Sequence, residues 1–510
     1  MAQRLQNITV QAPGFAGINS QDSPVSIDQS FAATASNCII DEYGRIGARK
    51  GYSEQSSNVS FAADSRGVEA VFESLDASGD KRIFSAVDNK IYEGLDFSAT
   101  DITPAGATIT ANNWKIVSFN NHTYFYQRGH EPLIYTDSSG SGVLARHSLF
   151  ANQTTPPQAN EVIGAYGRLW AADVSGNTKT VYWSDTLQGH KWSGGTAGSL
   201  DLTTVFPTGH DEVVALAAHN GFLIIFCKRS IIIYSGAESP ATMQLHDTVE
   251  GVGCIARDSV QHTGTDIIFL SEDGVRSFSR TIQEKSMPMR DISNNVRTEL
   301  TQLVRQQTNP IKSIYSADEA FYLLSLQDSQ TVYCFDMRGT LPDGANRVTT
   351  WAGVNPRSMA LLQDGSIYFG REDGIFKYEG YQDNGNAYEM IYYSNPMNFG
   401  NSTNLKFLKK FNITVIGNVA SPTTLVWGYD YDGAYIKKAF NTQLSNTPIS
   451  EFNVSEFNIG KFSTGVDIQR PSINTSGSGT VVTIGIESTI NGAPYSIQQI
   501  DVHALLGRLI

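Results

Sequence analysis

Charged residues are scarce in this chain of 510: Asp, Glu, Lys and Arg make up 17% of it, against about 25% in ordinary globular proteins. The Lys- and Glu-rich surface helices that carry most of that charge in cytosolic enzymes are therefore not expected in number. Cysteine is scarce too. Cys38, Cys227, Cys254 and Cys334 lie far apart with no CxxC pair, which argues against a disulfide framework and the common zinc spacings. Cys227 and Cys334 fall inside apolar runs, as buried free thiols do, and folding in a reducing cytoplasm is the expectation. No apolar stretch reaches the roughly 18 residues of a membrane span, and the opening MAQRLQNITVQAPGF lacks a signal-peptide core. Neither membrane insertion nor general secretory export is expected. Positive charge is in deficit, with Lys and Arg 37 against Asp and Glu 50 and a net charge of −13, so a broad phosphate-neutralising surface is excluded. There is also no GxxxxGK[ST] loop, no HExxH, no GxSxG elbow and no Cys/His ligand spacing. Enzymes that depend on such local signatures are disfavoured. Glycosidases are not, because their two carboxylates come from distant segments.

What fills the chain is small and polar: Ser, Thr, Asn and Gln throughout, with 45 Gly. From about residue 80 to 380 one unit recurs, an apolar strand, a polar turn and a second strand ending in an aromatic residue. It reads RIFSAVDNKIYEG from Arg82, HTYFYQRGHEPLIYTD from His122 and GRLWAADVSGNTKTVYWSD from Gly167. GFLIIFCKRSIIIYSG follows from Gly221, then DIIFLSEDGVRSFSR from Asp266, AFYLLSLQDSQTVYCFD from Ala320 and SIYFGREDGIFKYEG from Ser366. The mean step of about 47 residues is that of propeller blades. Each hairpin has an apolar face to bury, and turns at Asp88-Asn89, Glu272-Asp273-Gly274 and Glu372-Asp373-Gly374 are expected to supply positive φ. Radial stacking buries those faces and leaves only short edges. The spacing therefore favours a propeller of about seven blades, with six to eight compatible, over a sandwich or solenoid. One helix is predicted over 291–305, with Val296, Leu300, Leu303 and Val304 on one face.

The flanks differ. Residues 1–60 read as an extended arm or edge strands, 61–385 as the propeller, and 386–510 as an antiparallel β-domain of sandwich or jelly-roll type, with longer strands and Gly/Ser-rich turns. The fold class expected is all-β.

Candidate chemistry is thin. Ser184-Asp185-Thr186-Leu187-Gln188-Gly189-His190-Lys191-Trp192 resembles an Asp-box turn with altered spacing, and such boxes are structural. Asp430-Tyr431-Asp432-Gly433 hints at calcium, but the loop pattern fails at Ala434 and a hairpin turn fits better. The nine His are scattered, with His210-Asp211 and His219 near strand ends. No catalytic residue, metal ligand or cofactor is expected. The basic tract of Arg45, Arg49 and Lys50 is too short for a nucleic-acid site. It reads as a solvated turn or as a contact to an acidic neighbouring subunit.

Several stretches carry a family resemblance. Gly17-Ile18-Asn19-Ser20-Gln21-Asp22-Ser23-Pro24, then Asn37-Cys38-Ile39-Ile40-Asp41-Glu42-Tyr43-Gly44-Arg45 and Arg49-Lys50-Gly51-Tyr52, resemble the opening of tail nozzle proteins of short-tailed bacteriophages (podoviruses). These are the tail tubular B-type proteins, related to packaged-DNA stabilisation proteins. Gly167-Arg168-Leu169-Trp170, Tyr182-Trp183-Ser184-Asp185, Ala218-His219-Asn220, Phe269-Leu270-Ser271-Glu272-Asp273-Gly274-Val275 and Asp291-Ile292-Ser293 are similar to their blade motifs. So is the ending, Gln498-Gln499-Ile500-Asp501 with Gly507-Arg508-Leu509. The resemblance implies a structural virion protein without catalytic residues, folded in the host cytoplasm. It implies a homohexameric ring below the head-to-tail adaptor protein, with tail fibres or a tail needle as further partners. The ring would continue the DNA channel, retain packaged DNA and allow its ejection without binding it specifically. A subunit charge of −13 suits a conduit, because every cation on a phosphate adds affinity. Closed rings need heterologous interfaces, which an arm and a second β-domain can supply. The competing readings are a propeller-type carbohydrate-active enzyme, sialidase-like or polysaccharide-degrading, and a surface carbohydrate-binding module.

Overall fold

The structure is a computed structural model that describes residues 5–509 apart from 25, 56–66, 76–78, 80, 95–99, 111–112, 137–141, 207–208, 285–290, 418–421, 431–434 and 442–466. Each of the seven recurring units is a strand pair of one radial sheet, the middle pair in all but blade 5. In blade 1, Lys81–Val87 and Lys90–Gly94 lie between Val68–Leu75 and Thr100–Asp101. Blade 2 follows with Lys115–Phe119, His122–Tyr126, Leu133–Thr136 and Val143–Arg146. Blade 3 comprises Ala159–Ala165, Arg168–Val174, Thr180–Trp183 and Gly198–Asp201, and blade 4 Val213–His219, Phe222–Cys227, Ser230–Ser235 and Gln244–Glu250. Blade 5 has three strands, Gln261–His262, Ile267–Ser271 and Gly274–Ser277, with the helix Phe278–Glu284 packed on the last two. Blade 6 comprises Lys312–Ser316, Phe321–Leu326, Thr331–Thr340 and Asn346–Ala352. Blade 7 comprises Ser358–Leu361, Ile367–Gly370 and Ile375–Tyr378, completed by Tyr52–Glu54 from near the start of the chain. The propeller therefore has six full four-stranded blades and a three-stranded one. First strands touch around the ring, and Ser358–Leu361 meets Val68–Leu75 to close it.

The local chemistry explains the hairpins. Blade strands are covered on both sides, so runs such as Leu223, Ile224, Ile225, Phe226 and Cys227 are almost wholly buried. At about 1.5–3 kcal/mol per large apolar side chain, such burial outweighs the marginal stability of a lone hairpin. The first two strands of blades 2, 3 and 4 are joined by Asn120-Asn121, Tyr166-Gly167 and Asn220-Gly221, all at positive φ. Paired positive φ is what tight two-residue hairpin turns demand. Asp88 and Gly274 also take the expected positive φ, whereas Gly374 does not. The predicted helix appears as a 3-10 turn, Asn294–Val296, running into an α-helix, Arg297–Arg305. It buries Val296 and Leu300 against blade 5.

The C-terminal β-domain has two facing sheets. One continues blade 6 outward: Asn346–Ala352 pairs in parallel with Gly17–Ile18, and the sheet runs on through Phe31–Ser36, Tyr388–Ser394, Val482–Ile490, Pro422–Tyr429 and Ile436–Asn441 to ten strands. The other is eight-stranded, built on the long pair Asn404–Gly417 and Tyr495–Leu509, with Leu5–Gln11, Cys38–Ile40 and Ile46–Ala48 among its members. Phe15, Tyr392, Phe411, Trp427, Ile484 and Ile497 fill the space between, in one core with Tyr322 and Phe335 of blade 6. The arm expected from the first residues is thus laid into both sheets and the last blade. All four cysteines are free and buried.

Where the chain enters the last blade, backbones touch. A Cβ on Gly51 would lie 2.0 Å from the carbonyl oxygen of Gln382, and the Tyr52 amide donates to that same oxygen at 2.9 Å. Gly51→Ala is therefore expected to cost about 1–3 kcal/mol through forced backbone displacement, read as a lower thermal-unfolding midpoint.

Candidate functional site

In a propeller the inner strands converge on the axis, and ligands bind at its mouth. Here four of the seven inner strands bring a charge toward the axis: Glu69 in blade 1, Lys115 in blade 2, Glu161 in blade 3 and Lys312 in blade 6. The 3-10 turn Arg257–Ser259, entering blade 5, adds Arg257 and Asp258. Arg257 is almost fully buried and grips Asp258 from two nitrogens, each at 2.8 Å. It also donates to the carbonyl oxygens of Trp114 at 2.9 Å and Asn160 at 2.5 Å, and to Asn113 Oδ1 at 2.8 Å. Lys312 Nζ donates to Asp258 Oδ2 at 2.6 Å and to the same Asn113 oxygen at 2.8 Å. Glu161 is paired with Lys115 at 3.0 Å and lies 3.8 Å from Arg257 Nε. The turn before blade 5 is thereby tied to blades 2, 3 and 6.

Electrostatics follow from burial. Desolvation works against the Asp258 carboxylate, yet Arg257 and Lys312 hold it well below the usual carboxylate range. Burial pushes the Glu161 carboxyl up, with Lys115 and Arg257 pulling the other way. Burial lowers Lys312 against the pull of Asp258. For Arg257, Asp258 and Glu161 outweigh desolvation and hold it above its ordinary value.

Two cavities adjoin the network: one of about 570 Å³, lined by Arg128, Glu212, Lys228 and the segment 304–311, and one of about 160 Å³, lined by Glu69, Trp114, Lys115, Lys312 and Ser358. Asp258 lines both, and Glu161 lines neither. Charges around the larger cavity balance, with Arg128, Lys228, Arg257 and Arg305 against Asp173, Glu212, Asp258 and Glu272. Arg128 pairs with Asp173 at 2.7 Å and Lys228 with Glu212. A raised and a lowered carboxyl side by side suit acid–base chemistry. Glu161, however, is 1% exposed and faces its cations rather than an open space. The arrangement can hold blades together and receive a polar ligand in the larger cavity beside the network.

The residues singled out from sequence lie elsewhere. Arg49 is a correction: it is 0% exposed and cannot meet another subunit. Its guanidinium donates to both oxygens of Asp383 in a two-pronged ion pair at 2.8 and 2.7 Å and stacks 4.2 Å over the Tyr388 ring. Lys50 pairs with Glu319 while remaining 38% exposed, and Arg45 pairs with Asp41 at 2.5 Å. The Asp-box-like fragment is a turn. Asp185 Oδ1 accepts from the backbone N of Thr186 and from the N and Oγ1 of Thr196, and Ser184 Oγ accepts from the Leu169 amide. Asp430 likewise caps a turn, accepting from the amides of Thr480 and Val481; Asp432 and Gly433 lie outside the described residues. Asp211 anchors Ser230 and the Arg229 amide at a strand end. Among the described residues no cluster of three His, Cys, Asp or Glu is placed to hold a metal ion. Sequence reading missed the axial network. Its signal is the single charge near the start of four inner strands, visible when Val68-Glu69-Ala70, Trp114-Lys115-Ile116, Asn160-Glu161-Val162 and Ile311-Lys312-Ser313 are set side by side.

No family model matches the chain, and no curated protein does. Several solved structures are distantly similar. The extracellular domain of a one-component system from B. thetaiotaomicron is 12% identical at a TM-score of 0.40, over 76% of this chain and 46% of that one. The chain thus spans about half the length of that neighbour. The Cps50 (Swd1) β-propeller domain from Myceliophteria thermophila is 11% identical at 0.39, over 60% and 96%. An auxiliary nutrient binding protein from Bacteroides thetaiotaomicron is 13% identical at 0.33, over 73% and 76%. The propeller assignment here rests on the strand pairing itself.

Proposed function

We propose that this chain is a non-enzymatic structural subunit of a short phage tail: a nozzle protein whose copies form a ring of six under the head-to-tail adaptor, prolong the DNA channel, retain packaged DNA and release it. The observation that carries the reading is the propeller axis, where an enzyme of this fold would hold its chemistry. There the charged side chains are engaged in ion pairs and hydrogen bonds that tie four blades together. The motifs that carry the family resemblance also serve as joints. Arg168 donates to the Ser184 carbonyl at 2.9 Å, Asp291 pairs with Arg297 at 2.8 Å, and Arg49 locks the entry to the last blade. Architecture rather than turnover accounts for such residues. The ten-stranded sheet adds rigidity by making blade 6 and the C-terminal β-domain one continuous body.

A second reading, a surface propeller that binds or cleaves carbohydrate, is favoured by the cavity of about 570 Å³ at the mouth, a size that suits a small ligand. The test is native mass spectrometry of the purified chain with and without the adaptor, beside a glycan-binding and hydrolysis screen. The nozzle reading expects a hexamer with adaptor present and no glycan activity. Monomers under all conditions together with glycan binding or cleavage would establish the second reading instead.

A further inference from the structure

Three histidines meet at the junction of blades 2 and 3, outside the axial site. His122 opens the second strand of blade 2, His147 starts the 3-10 turn His147–Leu149 that leaves that blade, and His190 lies in the turn between the third and fourth strands of blade 3. Phe150 sits among them, its ring 5.2 Å from His122 and 4.8 Å from His190, and the His122 and His190 rings are 6.4 Å apart. His147 is completely buried, and neither of its ring nitrogens has a hydrogen-bond partner among the described residues. His190 Nδ1 is buried without one too. His122 Nδ1 is satisfied by Thr136 Oγ1 at 3.0 Å.

The surrounding contacts form a strap between blades. The Thr154 amide donates to the His190 carbonyl at 3.1 Å, and the amides of Trp192 and Ser193 donate to Thr154 Oγ1 at 2.6 and 3.1 Å. Asn120 Nδ2 reaches the Leu187 carbonyl at 2.7 Å. Few charges are at hand to compensate protonation. Glu131 is the carboxylate facing His147, but it accepts from the Ser148 amide and lies 4.0 Å from Arg146. Lys191 adds positive charge beside His190. We propose that His122, His147 and His190 form an acid-opened latch: uncharged, His122 and His190 pack on Phe150 with His147 buried beside them, and the three hold the connection 150–157 against blade 3; charged, they repel one another and release it.

Burial pulls His147 down to about 4, with the Glu131 charge and the His190 backbone pulling the other way and the His190 charge adding to the fall, and burial lowers His122 and His190 as well. Since the folded values lie below the unfolded one, the latch is fully closed above about pH 6.5 and weakens as the pH falls toward 4. The test is hydrogen exchange, read as protection factors for the amides of Thr154, Trp192 and Ser193 against those of Leu323 and Leu324 in blade 6. Between about pH 7.5 and pH 4.5 the strap amides are expected to lose protection by roughly ten- to a hundredfold, one to two pKa units' worth, while blade 6 does not. In His190→Gln the loss should be smaller than in the parent chain, and in His147→Gln, if that variant folds, it should shrink to less than about threefold. Unchanged strap protection, equal loss in both blades, or undiminished loss in His190→Gln would each overturn the proposal.

Discussion

Replacing Arg257 with alanine is expected to lower the unfolding free energy by about 3–5 kcal/mol, the usual cost of breaking a buried ion pair from one side. The change strands Asp258 beside Lys312 alone and removes the cation 3.8 Å from Glu161. It also deletes the donors to the Trp114 and Asn160 carbonyls, so blades 2 and 3 lose their tie to the turn entering blade 5. Arg305→Ala is the matched control. Arg305 lines the same cavity, but its side chain is exposed and its loss should shift stability by less than about 0.5 kcal/mol. Thermal and urea unfolding of both variants reads the difference. Equal stability of the two would mean that the axial network contributes nothing to holding the ring together.

The second large effect belongs to Arg49→Ala. Asp383, 14% exposed at its side chain, would be left without its cation, and Asn37 Oδ1 would lose a donor at 3.0 Å. The expected cost is again about 3–5 kcal/mol. Lys50→Ala removes a pair that is 38% exposed on the lysine side, and exposed pairs are worth at most about 1 kcal/mol. The two neighbours in sequence should therefore separate sharply in a denaturation series. A surface contact at Arg49 would give the opposite pattern, with monomer stability untouched and only assembly impaired.

That pair also shows how far the sequence could be read. Arg49 and Lys50 look alike in a basic tract, because the partner that buries Arg49 is Asp383, 334 residues away. No local pattern announces such a contact. The blade hairpins were legible for the opposite reason. Phe222–Cys227 and Ser230–Ser235 pair across two residues, so their apolar faces and their turn lie in one window. The helix Arg297–Arg305 showed in its apolar spacing. The interleaving of the N-terminal segment did not show. Gly17–Ile18 and Ile46–Ala48 are two and three residues long, too short for periodicity, and they pair with Val348 and with Ser496 and Ile497, far away in sequence. The axial network failed for a related reason: a single charge in an inner strand carries meaning only once the blades are superposed. The Asp185 turn was read as structural, and its carboxylate does hold backbone amides.

The claim beneath these expectations is that the molecule's work is architecture, carried by a propeller locked at its axis and fused through one sheet to a second β-domain. Electron cryomicroscopy of the assembled particle tests it most directly. The account predicts six copies of this fold arranged around the tail axis beneath the adaptor, with DNA passing between subunits and not through any propeller. A particle whose tail density cannot accommodate the fold, or the chain found instead on a cell surface with glycan in its mouth, would contradict it.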